Sequence, residues 1–89
     1  GIEKIPAYQR FIVNKALYCN IKVFLATQFL KSMEVNPVPT IPEVIDLHNT
    51  LCSGIYGVQM SEETAIGQYP KECLDTIVKI MDEIKIRTL

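Results

Sequence analysis

No basic patch, no long apolar run and no close cysteine pair occurs in this 89-residue sequence. Each absence removes a class of function. Lys and Arg are scattered and the net charge is −1, so nothing argues for nucleic acid, whose recognition needs a basic stripe. No stretch approaches the ~18–20 apolar residues of a membrane span, so no membrane partner is expected. The first residues, Gly1 to Pro6, have neither the charged start nor the apolar core of a secretory leader. Internal repeats and low-complexity tracts are also missing. The three cysteines, Cys19, Cys52 and Cys73, stand 33 and 21 residues apart. Those spacings match no C-x-x-C metal or redox pattern. An odd count without close pairs suits a reducing, cytoplasmic setting with buried, inert thiols.

What is present is a globular pattern. The chain is 48% hydrophobic and 21% charged, which fits a folded segment and not a disordered one. At this length one small unit is allowed, and it buries only about 60–65% of its unfolded surface. Pro6 to about Tyr18 reads as a helix with Tyr8, Phe11, Ile12 and Ala16 on its apolar face. Ile21 to Ala26 is rich in β-branched and aromatic residues and reads as a buried parallel strand. One or two helical turns follow over Thr27 to Met33. Prolines 37, 39 and 42 mark a loop, because proline breaks a helix interior.

Pro42 to Ser53 reads as the next helix, with Thr40 and Glu43 spaced as a capping box. Val44, Leu47, His48 and Leu51 form its stripe, and Gly54 ends it. Ile55 to Met60 is a second strand, Ser61 to Tyr69 a polar loop, and Pro70 to about Arg87 the last helix. Leu74, Ile77, Val78, Met81 and Ile84 make its predicted core stripe. Met33, Met60 and Met81 read as core gap-fillers, and His48 as a packed histidine. The order α-β-α-β-α argues for an α/β fold with two parallel strands joined by a crossover helix. Two such strands leave open edges and uncovered faces. The chain therefore calls for a remainder of the fold, a partner or self-association.

Two strings carry a family resemblance. The first is Ala26-Thr27-Gln28-Phe29-Leu30-Lys31-Ser32-Met33, followed by Pro37, Pro39 and Thr40. The second is Met60-Ser61-Glu62-Glu63-Thr64-Ala65-Ile66-Gly67-Gln68-Tyr69-Pro70. They resemble the A-T-Q-M-L-E-S-M, P-x-P-T and L-S-G-E-T-A-x-G-x-Y-P motifs of pyruvate kinase, in the same order and at similar spacing. Gly1-Ile2-Glu3 and Ile5-Pro6-Ala7 are similar to its G-I-E-I-P-A segment. The resemblance implies a partial TIM (β/α)8 barrel, about a quarter of it. Residues 1–89 would be a single segment: the helix after strand 6, then strands 7 and 8 with their helices.

It further implies phosphoryl transfer from phosphoenolpyruvate to ADP, the glycolytic step that yields ATP, with Mg2+ and K+. The ligands of both ions lie outside this chain, so the isolated 89 residues are not expected to be competent. Thr27 is the implied catalytic and substrate-binding residue. Ser61, Glu63 and Thr64 are implied to line the same mouth, since barrel chemistry sits at the C-terminal ends of strands. Bland readings stand beside these: Thr27 or Ser61 as helix caps, Glu63 as a solvated carboxylate. Departures also count. Glu62 replaces the motif's glycine and Ile66 the usual lysine. The arginine and serine of the family's R-A-E-x-S-D-V helix start are gone, although Asp46 remains. These changes leave open a non-catalytic relative with a structural or protein-interaction role. The open strands give a first expected outcome. Sedimentation of the 89-residue chain at micromolar concentration should show association, and a well-folded monomer would count against it.

Overall fold

The computed structural model describes residues 1–26 and 29–88. A 3-10 turn over Ile2–Lys4 leads into helix α1, Ile5–Tyr18, with Pro6 in its first turn. The helix stops where Asn20 takes a left-handed backbone, φ 58°. The Ile21 amide then donates to the Ala16 carbonyl at 2.8 Å and the Asn20 amide to the Leu17 carbonyl at 3.0 Å. This pair of bonds closes the final turn, with asparagine where glycine is commoner.

Strand β1, Phe24–Ala26, pairs in parallel with β2, Gly57–Gln59. Phe24 stands opposite Gly57, Leu25 opposite Val58 and Ala26 opposite Gln59. Both strands are shorter than the six residues expected of each. The Tyr56 amide still donates to the Val23 carbonyl at 2.7 Å, but the ladder goes no further. Each strand has one neighbour only among the described residues. Phe24 is 58% exposed, where a strand covered on both faces was expected.

Between the strands run a 3-10 turn, Lys31–Glu34, and helix α2, Ile41–Leu51. Thr40 caps α2 in a complete capping box with Glu43, as the spacing predicts. Gly54, at φ 93°, then turns the chain toward β2. The region expected to be a polar loop holds a single-turn helix, α3, Glu62–Ala65. Helix α4, Pro70–Thr88, closes the described chain.

The core is one cluster: Phe29, Leu30, Met33, Leu47, Cys73, Ile77 and Ile80, with Leu25, Val44, Leu51, Val58, Met60 and Ile84 packed around it. It lies between α2, α4 and the chain leaving β1. The buried stripe of α4 differs from the predicted one. Ile77 and Ile84 serve, but Cys73 and Ile80 replace Leu74, Val78 and Met81, which remain exposed. Leu74 and Met81 instead flank an open groove of about 410 Å3 that also meets Tyr56 and Val58 of the strand segment. The expected face of α1 is likewise uncovered. Tyr8, Phe11 and Ile12 are exposed and only Val13 is buried. These rows are apolar, as read, but nothing in the described residues covers them. The cysteines divide: Cys73 is buried, whereas Cys19 and Cys52 are exposed rather than buried as expected.

Leu47 is fully buried at the centre of this cluster. Replacing it with alanine removes core contacts and leaves a cavity. Leu47→Ala should lower stability by about 2–5 kcal/mol, read as an earlier midpoint in urea unfolding at unchanged slope.

Candidate functional site

Parallel pairing fixes where chemistry can gather. With Ala26 opposite Gln59, both strands end on one side, and the segments that leave them form a common rim. Thr27 and Gln28 lie outside the described residues, so the expected role of Thr27 is carried by sequence alone.

From β1 the chain enters through buried Phe29 and Leu30 into the Lys31–Glu34 turn. Glu43, at the start of α2, holds that turn. Its Oε2 accepts from the Ser32 amide at 2.9 Å. Its Oε1 accepts from the Ser32 hydroxyl at 2.5 Å and from the Thr40 amide at 2.9 Å. The capping glutamate is thus also a clamp between two loops. Burial pushes its carboxyl up. The hydrogen bonds from Ser32 and Thr40 outweigh that and hold it below its ordinary value.

From β2 the chain passes Met60 to Ser61 and α3. The Ser61 amide donates to Glu63 Oε1 at 3.1 Å. The Ser61 carbonyl accepts from the Thr64 amide at 3.2 Å, the Thr64 hydroxyl at 3.2 Å and the Ala65 amide at 3.1 Å. The Ser61 hydroxyl caps no α3 amide, which removes the reading of Ser61 as a side-chain cap. Ser61, Glu63 and Thr64 therefore form one tight turn, with the Ser61 backbone held from both sides.

Glu63 is not solvated. It is fully buried, and its Oε2 has no hydrogen-bond partner among the described residues. A carboxylate oxygen left so is costly, so the position must be dictated by the turn and not by local comfort. Glu62, beside it, is exposed. Burial raises the Cys73 thiol, whose Sγ lies 3.7 Å from the Glu63 carbonyl oxygen. The charges of Glu63, Glu72 and Glu43 push it the same way. Cys73 is therefore held as an unreactive thiol.

The two outgoing loops meet at Gly67. The Gln68 amide donates to the Glu34 carbonyl at 2.8 Å. A Cβ on Gly67 would stand 2.5 Å from the Glu63 carbonyl oxygen and 3.1 Å from Glu34 Cα. Only glycine lets the backbones approach this closely. Glu34 Oε1 is also buried without a hydrogen-bond partner, with the Lys31 ammonium 4.0 Å away. Neither the Ser32–Glu43 link nor the burial of Glu63 has a signal in local sequence. The first joins residues eleven apart, and the second runs against the residue type.

A magnesium ion takes near-octahedral oxygen ligands, commonly one or two carboxylates. Among the described residues no three His, Cys, Asp or Glu side chains converge. Glu43 is spent on Ser32 and Thr40, and Glu63 holds the Ser61 amide through one oxygen. The described residues therefore do not assemble a Mg2+ site of their own.

Comparison with known proteins supplies the wider frame. The family model described as "Pyruvate kinase, barrel domain" matches residues 1–74. Pyruvate kinase of Geobacillus stearothermophilus is 41% identical over 86 residues, covering 97% of this chain and 14% of the relative. That of Thermotoga maritima is 37% identical over 82 residues, 92% of this chain and 18% of the relative. A crystal structure of a pyruvate kinase from Cryptosporidium parvum superposes with a TM-score of 0.84 at 32% identity, over 88% of this chain and 16% of that one. The chain thus spans less than a fifth of the length of these relatives.

The Glu43 clamp has a measurable consequence. A carboxylate lowered by folding contributes fully above its unfolded value, and that contribution fades as pH falls through the folded one. Glu43→Ala should cost about 1–2 kcal/mol at neutral pH. The deficit relative to the parent chain should shrink on acidification below about pH 4.5, as followed by urea unfolding across pH.

Proposed function

Because the chain belongs to the pyruvate kinase family, we propose that it forms the last part of the catalytic barrel of a phosphotransferase. That enzyme would act on phosphoenolpyruvate and ADP and release pyruvate and ATP, in cytoplasmic glycolysis. Residues 1–89 correspond in this reading to the helix after strand 6 and the last two strand–helix units. The observation that carries the reading is the shared rim: two parallel strands end side by side, and the family's two motif strings begin there.

The turn at Ser61 supports a division of labour within this reading. Thr27, just past β1, contacts the substrate where the enol carbon gains its proton. Ser61 presents its hydroxyl to the same mouth, since the α3 cap does not use it. Glu63 acts through Ser61, holding its amide at 3.1 Å. Thr64 secures the Ser61 carbonyl from the other side. Phosphoryl transfer relies on positioned cations and in-line geometry. Mg2+ and K+ would supply that charge from ligands elsewhere in the barrel, which is why these 89 residues are not competent by themselves. The remainder of the barrel is the partner that the open strands require.

The test is a lactate dehydrogenase-coupled assay on the full chain with Mg2+ and K+. Pyruvate formation from phosphoenolpyruvate and ADP is the expected result. Thr27→Ala should reduce kcat by about 10²-fold if its hydroxyl serves proton transfer. Turnover unaffected by that change removes the role from Thr27, and a complete barrel without turnover removes the activity.

A further inference from the structure

The C-terminal end of α2 carries a pair of side chains that the phosphotransfer reading does not use. His48 sits in the last turn and Cys52 at the C-cap, and the Cys52 amide still donates to the His48 carbonyl at 3.0 Å. The backbone is therefore helical across both, and residues four apart stand one above the other. Cys52 Sγ lies 3.9 Å from His48 Nδ1. Cys52 is exposed and unoxidised, and His48 is half-buried.

We propose that His48 and Cys52 form a two-ligand site for a borderline-soft divalent cation of the zinc or cobalt type. Thiolate and imidazole are the ligand pair such ions favour over oxygen-seeking Mg2+. Zinc–sulfur and zinc–nitrogen bonds of about 2.3 and 2.05 Å at a tetrahedral angle separate the two donor atoms by roughly 3.6 Å. The observed separation closes to that value by a rotamer adjustment of a few tenths of an ångström. The pair is thus preformed, held in place by a helical turn that exists without metal. On binding, the S–H proton passes to solvent and the thiolate and neutral imidazole each donate a lone pair. Water fills the remaining positions. Structural zinc sites are closed by four protein ligands. With two, this one exchanges its ion freely and does not drive folding.

The probe is Co2+ alone, titrated into the full chain reduced with a phosphine. A near-ultraviolet thiolate-to-cobalt charge-transfer band is expected, bleached by Zn2+ and unaffected by excess Mg2+. Cys52→Ser should abolish the band, and His48→Ala should weaken binding strongly. Cys19→Ser, at an equally exposed thiol, should leave it intact. Circular dichroism of each variant confirms that the helix persists. No band, or a band that survives Cys52→Ser, overturns the proposal. A band weakened to the same extent by Cys19→Ser as by Cys52→Ser overturns it as well, because the ligand would then be any free thiol.

Discussion

Three residue pairs in parallel register, Phe24 with Gly57 through Ala26 with Gln59, are the constraint on which the rest depends. Parallel strands cannot be joined by a tight turn. The chain must travel the length of a helix to return, and α2 is that return path. Once the strands run the same way, both outgoing segments leave from one end. Every contact that shapes the rim follows: Glu43 reaches back to Ser32, and Gln68 reaches across to Glu34. An antiparallel pair would have put Ser61 at the opposite end from the chain that leaves Ala26.

The rim is held largely by side chains that grip backbone groups. Ser61 is gripped at its amide and its carbonyl, and Gly67 is wedged between two main-chain segments. Contacts of this kind fix position; they occupy the Thr64 hydroxyl and not that of Ser61. That leaves the Ser61 hydroxyl at a defined place and unclaimed by α3. Substrate-binding groups must be held closely to geometry to be effective, and in the proposed reading a turn gripped on both sides of Ser61 provides that.

Local rules were readable where a local signal exists. The Thr40–Glu43 cap, Pro6 and Pro70 at helix starts and Gly54 after α2 all follow from residue type and spacing. The motif strings carried the family, and the alternation of helices and strands carried the parallel arrangement. What could not be read depends on space. Leu74, Val78 and Met81 continue the apolar pattern of α4, yet the side they occupy has no cover among the described residues. Periodicity marks what is apolar and does not say what lies opposite. Glu63 is the reverse case: a charged residue pulled inside because a turn needs its carboxylate at the Ser61 amide. Strand lengths were overread for a related reason, since a strand with one neighbour frays sooner than one with two.

The uncovered apolar rows also bear on the life of such a chain outside a test tube. Tyr8, Phe11 and Ile12 on α1, Phe24 on the sheet and Val78 on α4 all present more than half of their surface to water. Chaperones and proteases recognise greasy surface and free strand edges of this sort. Whenever these rows are left uncovered, the segment is a quality-control substrate, and its survival then depends on how fast other surfaces reach it.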